Sequence, residues 1–297
     1  MSSTAPKLKA ELILVLVTFI AALGWIFSKE TLAGLPPIFF LGVRFLIAGL
    51  VLMFVGARYF KGIKWGDLKG AIVVGMVMSV AMMFWVVGLD QVSNIGVGAF
   101  INSLGVILVP VFAKFLFKEK PPRILWVALP IAIVGLACLA LGNGVSFEPA
   151  QLYFLIAAIT FALQFNMLTR MSSKIHVLVL TAIQLFTAGL IMLFVSPTVE
   201  EIPHSVPLSI VGWFLASTLI ATSLRFLLQT YGQSLTPASH AAVIMNLEPV
   251  WTAVLAAMWF SETMTGLQVI GCGLIFSAML VSKWTPIRSL LKSKKRC

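Results

Sequence analysis

The chain has 297 residues, of which 60% are hydrophobic and only 10% charged. A soluble domain carries about 25% charged residues, so this sequence cannot cover a water-facing surface of that size, and most of its exterior has to face lipid. The net charge of +11 does not imply nucleic acid, because the basic residues lie in short gaps between apolar runs and in a tail, Lys292, Lys294, Lys295 and Arg296, with no stripe to track a phosphate backbone.

Ten apolar runs of membrane-crossing length can be marked along the chain. The first, 12–32, follows a short polar start and has no Ala-x-Ala pattern after it, so it reads as a retained helix rather than a cleaved signal. Its polar candidates are Trp25 and Ser28, with Lys29 nearer the rim. The turn Gly34-Leu35-Pro36-Pro37 precedes the second run, 36–55, where Arg44 sits too deep to snorkel easily. An intramembrane charge costs ~2.5–3.5 kcal/mol or more, so Arg44 needs a use or a partner. It can meet a substrate carboxylate, or tie down carbonyls and an acid such as Glu30.

The third run, 70–89, carries Met76, Met78, Met82, Met83 and Trp85. Methionine suits a surface that adapts to varied ligands, which makes Met83 and Trp85 candidates; ordinary membrane packing is the alternative. The fourth, 94–115, shows Asn94, Gly98, Asn102 and Gly105 on one face, read as close packing plus one mid-membrane amide, Asn102. The fifth run, 124–142, lies between Pro121-Pro122 and Gly142-Asn143-Gly144, and the sixth, 151–168, adds Thr160 and Gln164. The seventh, 177–195, is expected to end at Ser196-Pro197. In the eighth, 207–229, Thr218, Thr222, Arg225 and Gln229 fall on one helical face, with snorkelling to the interface as the alternative use of Arg225. The ninth, 238–259, holds His240 at its inner end, then Asn246 and Glu248. Pro249 cannot donate to the carbonyl of Met245, so an unpaired acceptor is expected beside the Glu248 carboxylate. That pair suits a substrate ammonium or a proton, or else a carboxylate held by a neighbouring helix end or arginine. The tenth run is 266–284.

With the N-terminus in the cytoplasm, the segments expected inside hold every Lys and Arg except Lys29, Arg44 and Arg225, while the outside loops hold Asp90, Glu148, Glu200, Glu201 and Glu262. This is the positive-inside pattern, and it puts both termini in the cytoplasm. The chain also repeats itself. At an offset of 140, Ala48, Gly49, Leu50, Phe54 and Val55 meet Ala188, Gly189, Leu190, Phe194 and Val195, and Arg44 meets Gln184. The corners Lys118-Glu119-Lys120 and Ser261-Glu262-Thr263 correspond at an offset of 143. Five runs per copy is an odd number, so the second copy has to enter the membrane from the opposite side. Inverted repeats of this kind underlie many transporters.

These pieces resemble the drug/metabolite transporter superfamily, specifically the EamA-type proteins. The resemblance covers nearly the whole chain. It rests on Leu23-Gly24-Trp25, Val43-Arg44-Phe45-Leu46, Leu108-Val109-Pro110, Lys118-Glu119-Lys120 and Asn246-Leu247-Glu248-Pro249-Val250 followed by Ser261-Glu262. The first half has Val106 where the second has Pro249, so the Glu-Pro role does not transfer to it. The resemblance implies ten transmembrane helices in two inverted five-helix repeats, 1–146 and 147–291, with a basic cytoplasmic tail at 292–297. It also implies a central cavity lined by the first, third, fourth, sixth, eighth and ninth runs, and export of amino acids or other metabolites.

No Walker A loop, HExxH, GxSxG or metal spacing occurs, so neither an enzyme, a cofactor nor a metal is expected. Cys138, Cys272 and Cys297 form no disulfide framework. The expected partners are a small-molecule metabolite, membrane lipid and protons taken up at Glu248 or His240, in a monomer or homodimer of the inner membrane.

Overall fold

A computed structural model describes residues 4–117, 124, 127, 130–131, 133–135, 137–138, 148–202, 206–235, 241, 244–245 and 247–282. Among these residues the regular structure is helical throughout, with no strand. The elements are α1 (Thr4–Leu32), α2 (Pro37–Val55), α3 (Trp65–Gln91), α4 (Ile95–Ser103), α5 (Gly105–Phe117), α6 (Pro149–Met171) and α7 (Val177–Val199). They continue with α8 (Leu208–Thr218), a π-helical turn Leu219–Leu224, α9 (Arg225–Ser234), α10 (Glu248–Phe260) and α11 (Gly266–Ser282). Seven segments among the described residues are long and apolar enough to cross a membrane: Ala10–Leu32, Pro37–Val55, Trp65–Gln91, Ile95–Leu116, Pro149–Met171, Val177–Val199 and Leu208–Ser234. Gly266–Ala278 is a shorter apolar helix. Most of the fifth run, the start of the ninth, and the residues 118–123 and 283–297 lie outside the described residues.

The helices pack as antiparallel pairs. Along α2, Gly42, Gly49 and Leu46 approach Leu193, Phe186 and Gly189, so the partner numbers on α7 fall as those on α2 rise. A methyl group at Gly49 would lie 2.6 Å from the Phe186 backbone nitrogen, and one at Gly189 would lie 2.8 Å from Leu46 Cα. Only glycine permits this backbone approach; it gains dispersion contacts where lipid supplies no hydrophobic drive. The outer faces are apolar as lipid demands: Phe54 is 87% exposed and Phe194 83%. In the same way α1 runs against α8–α9, with Gly34, Gly24 and Leu14 beside Ile210, Ala221 and Gly232, and α3 against α6, with Gly70 and Gly88 beside Met171 and Phe154. Further pairs bring α4 against α10, and Gly135 against Gly271 and Ile275 of α11.

Several boundaries depart from the sequence reading. Proline 197 does not stop the seventh run; it lies in the last turn of α7, which continues to Val199. Glu200 then caps the helix, its N–H donating to the Ser196 carbonyl, and its carboxylate accepts hydrogen bonds from Ile38 N (2.7 Å), Phe39 N (2.8 Å) and Ser196 Oγ (3.0 Å). An acid expected to be a surface loop charge therefore satisfies the open N–H groups at the start of α2. Glu262 does the same for α4, accepting from Ile95 N at 2.9 Å and Gly96 N at 3.4 Å. Asn94 is not part of a helical stripe but the N-cap of α4, accepting from Val97 N at 2.9 Å. The fourth run breaks at Leu104 into α4 and α5, and Gly105 there lies against the Ala158 carbonyl.

Candidate functional site

A cavity of about 130 Å³ lies at the centre of the bundle. Its wall takes residues from α1, α2, α3, α4, α5, α6, the α8–α9 segment and the stretch Met245–Pro249. Span two therefore belongs to the wall, contrary to the expected set, through Leu41, Arg44 and Phe45. The π-turn shapes one side. Thr222 Oγ and Ser223 Oγ donate to carbonyls five residues back, Ser217 at 2.9 Å and Thr218 at 3.0 Å. The extra residue in this turn shifts the register of the eighth span, so the stripe expected from regular spacing is not straight. Arg225 and Gln229 line the cavity, whereas Thr222 does not: it is buried, accepting from Arg44 and donating to the Ser217 carbonyl, and Thr218 is buried and bonded to the Phe214 carbonyl.

Two polar groups meet at the cavity. In one, Glu248 accepts from Trp25 Nε1 at 3.0 Å and from Arg225 Nη2 at 3.4 Å. Arg225 thus pairs with an acid rather than snorkelling, and its guanidinium also lies 4.3 Å over the Phe226 ring. In the other, Arg44 donates from Nε to Thr222 Oγ1 and from Nη1 to Ser28 Oγ at 2.7 Å. Ser28 in turn donates to Gly24 O at 2.5 Å. Arg44 is 4% exposed and does not pair with Glu30, whose carboxylate accepts from Trp259 Nε1 at 2.8 Å instead. Glu248 opens α10 with Pro249 behind it, so the proline occupies a first-turn position where its missing N–H costs nothing, rather than the middle of a continuous helix.

The other candidates divide clearly. Trp85 lines the cavity and stacks edge-on against Trp25 at 4.9 Å, and Trp25 itself packs behind it while holding Glu248. Asn102 and Gln164 line the cavity; Gln164 Nε2 donates to Gln184 Oε1 at 3.4 Å. Met83 does not: Met82 takes that place, and Met83 is a half-buried residue packed against the core. Thr160 bonds only to its own helix, at Ile156 O. His240 and Asn246 lie outside the described residues. Phe45, Phe226 and Ser103 line the wall without having been singled out. Met78, Met82 and Trp85 sit at i, i+4 and i+7, so the inward face of α3 was readable from helical spacing, and it passes one position before Met83.

Lys29, at the end of α1, donates from Nζ to Leu89 O at 2.8 Å and Asp90 O at 3.1 Å, capping the C-terminus of α3. Together with Trp259–Glu30 and Glu262–Ile95, it ties α1, α3, α4 and α10 at one end of the bundle.

The profile of the EamA-like transporter family matches residues 8–141 and again residues 149–284. An uncharacterized transporter of Archaeoglobus fulgidus is 28% identical over 93% of this chain and 86% of its own length. The uncharacterized inner membrane transporter YedA of Escherichia coli K12 is 26% identical over 83% of this chain and 82% of its own. A solved crystal structure shares the fold, with a TM-score of 0.67 over 93% of this chain and 98% of that one at 18% identity. With its apolar helices and the family profile covering both halves, this chain belongs to the EamA-like transporter family and is a multi-pass membrane protein.

Proposed function

We propose that this chain is a secondary carrier of the inner (plasma) membrane that moves amino acids or related small organic metabolites, in the export direction, by alternating access. The observation that carries the reading is the central cavity, walled by residues of both halves and holding polar side chains that a purely structural core would not retain. Its volume is close to that of a benzene-sized cavity, about 150 Å³, which argues against nucleotide-sized cargo.

The architecture proposed with it is ten helices in two inverted repeats, divided near residue 146, with both termini in the cytoplasm. Its support is the reciprocal contact of α2 and α7. Gly49 approaches Phe186 while Gly189 approaches Leu46, and each residue of one contact is the offset-140 counterpart of a residue in the other. Such i-to-j, j-to-i contact between antiparallel helices is what a two-fold axis in the membrane plane produces. The polar partners correspond at the level of helices: Arg44 of α2 reaches Ser28 of α1, and its counterpart Gln184 of α7 is reached by Gln164 of α6, about one helical turn before Leu168, the offset-140 counterpart of Ser28. Two near-equivalent halves can exchange inward-open and outward-open arrangements at little net cost. Export, rather than uptake, is carried over from the family resemblance.

Purified chain in proteoliposomes loaded with a metabolite mixture tests the reading. Saturable counterflow of a small metabolite is expected, and absence of any saturable flux would reject it. If proton coupling runs through Glu248, flux in Glu248→Gln becomes independent of pH; retention of the wild-type profile assigns coupling elsewhere.

A further inference from the structure

The cavity carries an uncompensated positive charge. Among the described residues lining it, the ionised groups are Arg44, Arg225 and Glu248. Glu248 is already engaged twice, by Arg225 and by Trp25 Nε1. Arg44 donates to neutral hydroxyls and lies 5.5 Å from the Phe40 ring centroid and 5.9 Å from that of Phe45, but no carboxylate among the described residues pairs with it. A buried guanidinium without a counter-charge is costly in a hydrocarbon surround, so a binding partner that brings a negative charge gains what the protein alone leaves unmet. Three buried atoms on residues of the wall have no hydrogen-bond partner among the described residues: Arg225 Nε, Asn102 Oδ1 and Gln229 Oε1, the last on a side chain 5% exposed. Buried polar groups left open in this way call for a ligand or water to complete them. Apart from Ser103 and Gln164, the rest of the wall is apolar and aromatic, with Phe45, Trp85, Phe161 and Phe226 around the charged groups.

Resting on the carrier reading of this site, we propose that its cargo is a small monocarboxylate bearing an apolar or aromatic group, and that a free ammonium on the cargo is not required. The carboxylate docks against the guanidinium groups of Arg44 and Arg225, both of which line the cavity, as planar guanidinium groups favour. An ammonium would face two arginines, while the one carboxylate that could receive it is occupied. This narrows the proposed metabolites away from amino acids and toward their deaminated or otherwise amine-free relatives.

Four probes with one phenyl ring separate the possibilities: phenylacetate, its neutral amide phenylacetamide, its zwitterionic analogue phenylglycine, and the cation phenethylamine. In thermal-shift titrations of the full-length chain in detergent, phenylacetate is expected to bind at least about tenfold tighter than the other three. Equal or better binding of phenylglycine, phenylacetamide or phenethylamine, or no binding of phenylacetate to folded protein, overturns the proposal. Arg44→Gln is expected to erase the preference for phenylacetate over phenylacetamide and Arg44→Lys to keep most of it; a full preference in Arg44→Gln removes Arg44 from the site. The unmodified chain with all four probes decides the matter if either variant misfolds. Counterflow with the same probes keeps the two readings apart. Flux of phenylglycine but not phenylacetate sinks the anion preference and leaves the carrier standing, whereas selective phenylacetate binding without counterflow leaves the anion site and sinks the carrier.

Discussion

Arg225 stands 3.4 Å from Glu248 across the gap between α9 and α10, and together with the Trp25 indole, not with any bond from Arg44, it holds the acid that lines the cavity among the described residues. The two side chains are 13% and 17% exposed, so solvent screens them little. Removing one partner leaves the other charge in a poor environment, at a cost of about 1.5–3 kcal/mol. Glu248→Gln is therefore expected to lower the melting temperature in detergent, and the double variant Glu248→Gln/Arg225→Gln to melt above the Glu248→Gln single variant. A double-mutant cycle of melting measurements reads the coupling directly. Strict additivity of the two substitutions would show that the pair contributes nothing.

The glycines of the α2–α7 seam make a second prediction. Gly49→Ala and Gly189→Ala each drive a methyl into partner backbone, which cannot move aside as a side chain end would. Each is expected to cost about 1–3 kcal/mol, with larger residues preventing folding. Gly212→Ala in α8 is the control, because nothing lies within 4 Å of the added carbon. It should leave the melting temperature level or raise it, by up to about 1 kcal/mol in stability, since alanine lowers the entropy cost of helix formation. Detergent melting curves of the three variants, run side by side, check this.

Much of this arrangement was legible in the residues because lipid imposes a simple rule: every long apolar run must be a helix. The run positions of α1, α2, α6 and α11 follow from it, and the offset-140 match marked the second and seventh runs as counterparts, though not that they pack against each other. Two kinds of feature stayed out of reach. The functions of Glu200 and Glu262 depend on contacts 161 to 167 residues away in sequence, and nothing local distinguishes a capping acid from a loop acid. The π-turn at Leu219–Leu224 has no composition signal, yet it places Thr222 against Arg44 and precedes Arg225, which lines the cavity. At the site, residue type identified Arg44, Arg225 and Glu248 as unusual, but not which would pair with which. Met82, not Met83, reaches the wall, one helical position and about 100° of rotation away.

Topology gives a third prediction. With Arg58, Lys61, Lys64 and Lys69 between α2 and the body of α3, and the basic tail beyond α11, the proposed orientation puts these segments in the cytoplasm. Reporter fusions at the two chain ends should both report the cytoplasmic side, and one placed at Glu201 the opposite side. Fusions that put the two ends on opposite faces would remove the ten-helix, inverted arrangement.

The last prediction concerns acid. Glu262 lies in the loop between α10 and α11, and partial burial pushes its carboxyl above the ordinary value of 4.5, against the opposing pull of the Ile95 and Gly96 N–H groups and Lys29. Its folded form therefore binds a proton more readily than the unfolded chain does. By linkage, this contribution to stability is fully present below 4.5 and is lost as pH rises through the raised folded value. Glu262→Gln, which cannot ionise, removes this pH dependence. The melting temperature of the wild-type chain, measured relative to Glu262→Gln, should accordingly be highest near pH 4 and fall as pH is raised, levelling once the carboxyl is fully ionised. A difference between the two proteins that stays constant over that range, or grows in favour of the wild type with rising pH, would show that the N–H groups at the start of α4 outweigh burial and hold Glu262 ionised.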